Sequence, residues 1–223
     1  MKKKLLIILT ASVSIIGISS FAGAVSYDFE SGSAPAEISG GNTTGTSGYS
    51  SYGFGNYFQW SGGNAITMDL SGLDTHTTLD LEFDLAIIDS WDGSTGGWNP
   101  DYFNVTLDGD SIFKETFDNF HQDDQSYTGA AITWGTNLYG ISSWHDSAYH
   151  ITLSGLAHSA STLQIKWFAD GNGWQGGQDE SFAIDNIDIT TNGNAPVPEP
   201  ATMFLFGTGL IGLAGSRLKR KKK

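Results

Sequence analysis

Leu79, Leu81, Phe83, Leu85 and Ile87 alternate with Thr78, Asp80, Glu82 and Asp84. A period of two puts the first set on one face of an extended strand and the second on the other. A helix would return apolar residues every three or four positions. The pattern recurs along the chain. Phe103, Val105 and Leu107 alternate with Asn104 and Thr106, Asp108-Gly109 then suits a tight hairpin turn, and residues 111–117 return. Ile151 and Leu153 repeat the alternation, as do Leu163, Ile165 and Trp167 with Lys166 facing out, and residues 181–190 close the series. Shorter candidates lie at 26–30, 57–60 and 65–70. No stretch between them sustains a helical period. Several strands at short spacing predict an all-β body, a two-sheet antiparallel β-sandwich. The Gly/Ser/Thr-rich stretch 39–55 reads as a long loop or irregular edge.

The two ends are of another kind. Lys2, Lys3 and Lys4 precede the apolar run 5–18, and Ala22-Gly23-Ala24 fits the small-residue cleavage rule. This reads as a secretory signal peptide over 1–24, with the mature chain starting at Val25; a second membrane anchor is the alternative. At the far end, residues 193–200 form a linker that ends in Pro198, Glu199 and Pro200. Residues 201–218 follow, an 18-residue stretch whose one charge is Arg217. That is the short end of the ~17–25 residues a transmembrane helix needs. The basic residues 219–223 would stay on the cytoplasmic side of the inner membrane. The expected layout is therefore one extracytoplasmic sandwich domain, 25–192, held by its C-terminus.

The formal charge of −13 conceals a division. Of 11 Lys and Arg residues, three lie in the N-terminal segment and six beyond residue 216, which leaves Lys114 and Lys166 in the body. Of 24 Asp and Glu residues only Glu199 lies outside it, so the body holds 23 and its formal charge is near −21. Such a surface opposes nucleic-acid binding, which needs Lys and Arg at the phosphates. It attracts cations instead, and bound divalent cations would relieve the self-repulsion of the compact state. The absence of cysteine excludes zinc-thiolate sites and cysteine nucleophiles. About 168 residues suffice for one core without disulfides.

Within 181–189, Asp185 falls in phase with Ala183, Ile187 and Ile189. A carboxylate in an apolar phase must gain a partner or lose its charge. A calcium ion is one partner, backbone amides at a bulge are another, and a bulge that turns Asp185 to solvent is the third option. Two further acidic clusters could join a calcium site: Asp89-Ser90-Trp91-Asp92-Gly93 at the end of the long strand, and Asn99-Pro100-Asp101 at the start of the next. Calcium takes ~6–8 hard oxygens, which carboxylates and loop carbonyls supply. Glu30 could reach the last strand if the first and last strands pair. The metal candidates are thus Glu30, Asp89, Asp92, Asp101 and Asp185. Asp170-Gly171-Asn172-Gly173 begins like an EF-hand loop, but Trp174 and Gln175 break the pattern and favour an ordinary Gly-rich loop, to which Asp179 and Glu180 could add a cation contact.

Trp91, Trp98, Trp134, Trp144 and Trp174 sit among Gly, Asp, Asn and Ser, whereas Trp60 and Trp167 sit in strand-like runs. Loop aromatics beside polar groups can stack on sugar rings, so Trp98 and Trp174 are ligand-binding candidates; packing at the sandwich ends is the alternative. No catalytic residue is assigned. There is no Gly-x-Ser-x-Gly elbow and no His-Glu-x-x-His helix, and the five histidines are scattered. Asp80, Glu82 and Asp84 read as a solvated strand face.

The tail resembles the PEP-CTERM sorting signal of Gram-negative bacteria, in Val197-Pro198-Glu199-Pro200-Ala201-Thr202, the Gly-rich span 207–215 and the basic end. The resemblance implies recognition by an exosortase, removal of the span, and release to the cell surface or exopolysaccharide matrix. A second resemblance lies in the body. Phe29-Glu30 and Ala183-Ile184-Asp185-Asn186-Ile187 resemble MAM and related concanavalin-like jelly rolls, which implies a jelly-roll sandwich with calcium near its terminal strands. Glu82-Phe83-Asp84 is similar to the start of the Glu-x-Asp-x-x-Glu signature of concanavalin-like glycosidases. Ile87 stands where the second glutamate belongs, so one carboxylate of the required pair is missing. The resulting expectation is a non-enzymatic surface or matrix protein, calcium-stabilised; the alternative is a carbohydrate-binding module.

Overall fold

The computed structural model describes residues 23–45, 47–60, 62, 65–94, 99–139, 143–177 and 179–193. Residues 1–22 of the expected signal peptide, the sorting motif and the transmembrane segment lie outside these residues, as does Trp98, whereas Ala24, the last residue of that expected peptide, already stands in a strand. No helix among the described residues is long and apolar enough to cross a membrane.

Strands β1 (Ala24–Tyr27), β2 (Ile38–Ser39), β3 (Gly41–Thr44), β4 (Tyr57–Trp60), β5 (Ile66–Ser71) and β6 (Thr78–Asp89) come first. Then follow β7 (Tyr102–Leu107), β8 (Asp110–Thr116), β9 (Ala131–Thr136), β10 (Asp146–Ala157), β11 (Thr162–Asp170) and β12 (Glu180–Asn192). They form two antiparallel sheets, one of seven strands in the order β3-β4-β12-β6-β10-β9 with β1 also on β12, the other of five in the order β2-β5-β11-β7-β8. This is the sandwich that the alternation predicts. The β7–β8 hairpin turns at Asp108 and Gly109, whose φ values of 50° and 93° are the left-handed pair that a two-residue turn requires.

Phe83, Leu85 and Ile87 of β6 meet Phe103 and Val105 of β7 and Ile165 and Trp167 of β11 in one core between the sheets. The Phe83 and Trp167 rings stand edge to face, 5.9 Å apart. A second cluster lies on the other face of the larger sheet, a face that the alternation alone would leave to solvent. Ala183, Ala86 and Ala148 are lateral neighbours across β12, β6 and β10. Their small side chains leave room for Tyr49, Phe54 and Tyr57, which pack there. The stretch read as a loop thus contributes the last residue of β2, all of β3 and the 3-10 turn Ser47–Tyr52, and seals that face.

This cover changes what the polar phase of β6 does. Glu82 stays partly exposed, but Asp84 is only 8% exposed and accepts from Asn186 Nδ2 at 2.8 Å while contacting His150 Nδ1 at 2.7 Å. The expectation of a solvated face fails at Asp84, because the 47–57 segment lies over the sheet there.

Candidate metal centre

Strand β12 carries a bulge directly after Asp185, where its register against β6 shifts. Asn186 supplies the extra residue with φ 46°. The bulge reverses the inside–outside parity of the strand. Phe182 and Ile184 face the core before it, and Ile187 and Ile189 face the same core after it. Asp185 therefore shares a face with Ala183 only, not with the two isoleucines. It does not turn to solvent: it is fully buried, and its carboxylate accepts the Gly55 N–H at 3.2 Å and the Asn186 N–H at 2.8 Å. Of the three options for Asp185, backbone amides at a bulge are the partners seen.

Pairing of β1 with β12, Tyr27 opposite Ile187, brings Glu30 to this place. A Cβ on Gly55 would come within 1.0 Å of Glu30 Oε1, so the Glu30 carboxylate occupies the space that glycine leaves. Burial above all, with the charges of Glu30 and Asp84, raises the pKa of Asp185 to about 7 against the opposing backbone bonds.

A separate acidic cluster sits at the rim where β6 ends and β7 and β12 begin. Carboxylate oxygens of Asp92, Asp101 and Glu180 lie within 4.8 Å of one another. Asp101 and Glu180 are fully buried. Asp92 and Asp101 clasp each other: Asp92 N–H donates to Asp101 Oδ2 at 2.8 Å, and Asp101 N–H donates to the Asp92 carbonyl at 3.0 Å. Glu180 Oε2 accepts the Gln175 N–H at 2.5 Å and the Gly176 N–H at 3.3 Å. The other oxygens, Asp101 Oδ1 and Glu180 Oε1, are buried without a hydrogen-bond donor. Instead the two carboxyls face each other closely enough to bond when one is protonated. Burial, above all, pushes Asp101 to about 6 and Glu180 to about 8. Asp92 is raised too, by burial and then by Asp118 and Asp179.

The loop before β12 closes over this rim. Gly173 lies so near the Asn99 carbonyl that a Cβ would come within 2.1 Å of its oxygen, and Trp91 beneath donates from Nε1 to the Ser181 carbonyl at 2.8 Å. Asp170, the first residue of the EF-hand-like string, pairs instead with Lys114 at 3.4 Å and accepts from Asn104 Nδ2 at 3.0 Å.

The metal candidates thus separate. Asp92 and Asp101 meet at the rim, and Glu30 and Asp185 meet at the bulge. Asp89 belongs to neither group: its φ is 69°, its N–H donates to Asp146 Oδ1 at 2.9 Å, and its carbonyl accepts from Asn119 Nδ2 at 2.7 Å. Glu180 is the rim residue outside that candidate set. Its signal was its alternation with Phe182, which points it inward at the start of a core strand. Trp174 is half-buried, 5.5 Å from the Trp60 ring and 5.0 Å from the Trp91 ring. Among the described residues every tryptophan is at least half-buried, and the exposed large apolar side chains are Phe120 and Ile132.

Among curated proteins none matches the chain. Three solved structures illustrate the folds to which it is similar. The CBM36-1 domain of a multidomain xylanase from the hindgut metagenome of Trinervitermes trinervoides is 12% identical, with 77% of this chain and 99% of that one covered at a TM-score of 0.40. The K3 cleaved adhesin domain of Lys-gingipain from Porphyromonas gingivalis is 13% identical over 75% and 98%, at 0.42. A family 35 carbohydrate binding module from Clostridium thermocellum is 14% identical over 76% and 99%, at 0.35. At the C-terminus, residues 196–221 match the family model described as the PEP-CTERM protein-sorting motif, and the chain carries that motif.

Proposed function

We propose that this is an exported, non-enzymatic protein of the cell surface or exopolysaccharide matrix, sorted by its PEP-CTERM tail, with a calcium-stabilised sandwich as its working part. The observation that carries the reading is the motif match over 196–221, because Pro198-Glu199-Pro200, an apolar stretch and a basic end stand in it in that order. An exosortase would recognise the first, the inner membrane would hold the second, and the third would set its orientation. The body suits life outside the cell. It has no thiol to oxidise, and its formal charge near −21 keeps it soluble while drawing cations. Two buried acidic clusters on a body with two basic side chains support the calcium part of the reading.

Mass spectrometry of the mature C-terminus, in cells with and without an exosortase, tests the sorting. The expected product ends near Pro198–Pro200 and lacks the apolar stretch, and the exosortase-deficient cells retain the whole tail in the membrane. An intact chain soluble in the cytosol, uncut at both ends, would overturn the proposal.

A further inference from the structure

We propose that Asp92, Asp101 and Glu180 form a calcium site that clamps the two sheets of the sandwich together at one rim. The inference deepens the calcium part of the reading above and rests on it; it is independent of the sorting tail. Three observations carry it.

The first is position. Glu180 opens β12 and Asp92 follows β6, both in the seven-stranded sheet, whereas Asp101 immediately precedes β7 in the five-stranded one. Oxygens from both sheets therefore converge within 4.8 Å.

The second is the state of those oxygens. Asp101 Oδ1 and Glu180 Oε1 are buried in the cluster with no donor beyond each other's carboxyl, although the remaining oxygens of the same carboxylates are fixed by backbone N–H groups. Buried carboxylate oxygens of native proteins nearly always have a partner. Here Asp101 and Glu180 are held by backbone bonds that a cation would not displace, with the Asp92 carboxylate alongside.

The third is that, among the described residues, no protein cation pairs with the cluster. The ion pairs among the described residues do not reach these carboxylates, and Lys114 is engaged by Asp170 and the Tyr102 ring.

An all-oxygen, multiply anionic donor set with no nitrogen or sulfur selects a hard divalent cation, and its irregular loop-and-strand geometry suits calcium better than the strict octahedron of magnesium. The other acidic group, Asp118 with His121 and Asp124, lacks the second observation. Both oxygens of Asp118 already accept N–H groups, from Phe120 and His121 on Oδ1 and from Gly93 on Oδ2.

The test uses the full chain purified in detergent, titrated with calcium chloride by calorimetry and melted with calcium or with a chelator. Calcium at about a hundredfold above Kd is expected to raise the melting temperature by about 5–10 °C. Glu180→Gln and Asp101→Asn should remove that rise and weaken binding at least tenfold, whereas Asp185→Asn should keep both. If either buried variant fails to fold, Asp92→Asn, at a half-buried position, should still show the tenfold loss. Calcium binding that survives Glu180→Gln and Asp92→Asn but disappears in Asp185→Asn overturns the rim site and leaves calcium stabilisation standing. No heat of binding and identical melting in calcium and chelator overturn both.

Discussion

Asp185 accepts a hydrogen bond from the Gly55 N–H at 3.2 Å, a bond that ties the last strand to a segment 130 residues earlier in the chain. The bulge at Asn186 makes it possible, because it holds the carboxylate on the outer face while the strand's isoleucines stay inside. One local irregularity thus decides which side of the sheet a charge occupies.

That arrangement predicts how stability depends on pH when divalent cations are absent. Asp185, Glu180 and Asp101 have folded-state pKa values of about 7, 8 and 6, against ordinary values of 3.8, 4.5 and 3.8. The folded state keeps protons that the unfolded chain releases, so their stabilising effect is complete below about pH 4 and is lost as pH rises to about 8. Urea denaturation between pH 4 and 9 in chelator should show stability falling across that window and levelling above it. Stability that rises with pH would contradict the buried-acid geometry.

Asn186→Ala should be destabilising by about 1–3 kcal/mol. A Cβ-bearing residue other than Asn or Asp resists the left-handed φ of 46°, and the change also deletes the bond from Asn186 Nδ2 to Asp84. Asn186→Gly removes the strain but not the lost bond, so it should fall between alanine and the wild type in chemical denaturation.

Trp174→Ala should lower stability by about 2–3 kcal/mol, since the ring packs between Trp60 and Trp91 and is half-buried, below the full cost of a core tryptophan. The same variant on a polysaccharide panel separates packing from recognition. Unchanged glycan retention with lowered melting is the expected result.

His76 and His158 stack at 4.9 Å with His76 Nε2 2.6 Å from His158 Nδ1, both rings buried at the end where β6 begins. His158 Nε2 also lies 3.1 Å from Asp108 Oδ2 in the β7–β8 turn. His158→Ala strands a buried ring nitrogen of His76 and should cost about 1–3 kcal/mol, read as a lower urea midpoint with an unchanged slope.

The strands with clear alternation were readable because each has one face in the core: 79–87, 103–107 and 163–167 needed no tertiary knowledge. Strands β2, β3 and β9 were not. They are short or rich in Gly and Thr, and their residues gain partners only when another strand arrives. At the candidate site, Asp92 and Asp101 were legible as acids at strand ends. Glu180 reads from sequence as a contact of the Asp170 loop, because nothing local reveals that Asp170 turns to Lys114.

Composition and local pattern carry the sheet class, the strongly anionic body and the sorting tail, because periodicity, charge count and a linear motif are properties of neighbours along the chain. Which acids share a site is a different matter. Asp101 and Glu180 stand 79 positions apart, and Glu30 and Asp185 155. Only the stacking of two sheets, and one bulge that reverses the parity of β12, brings each pair within reach.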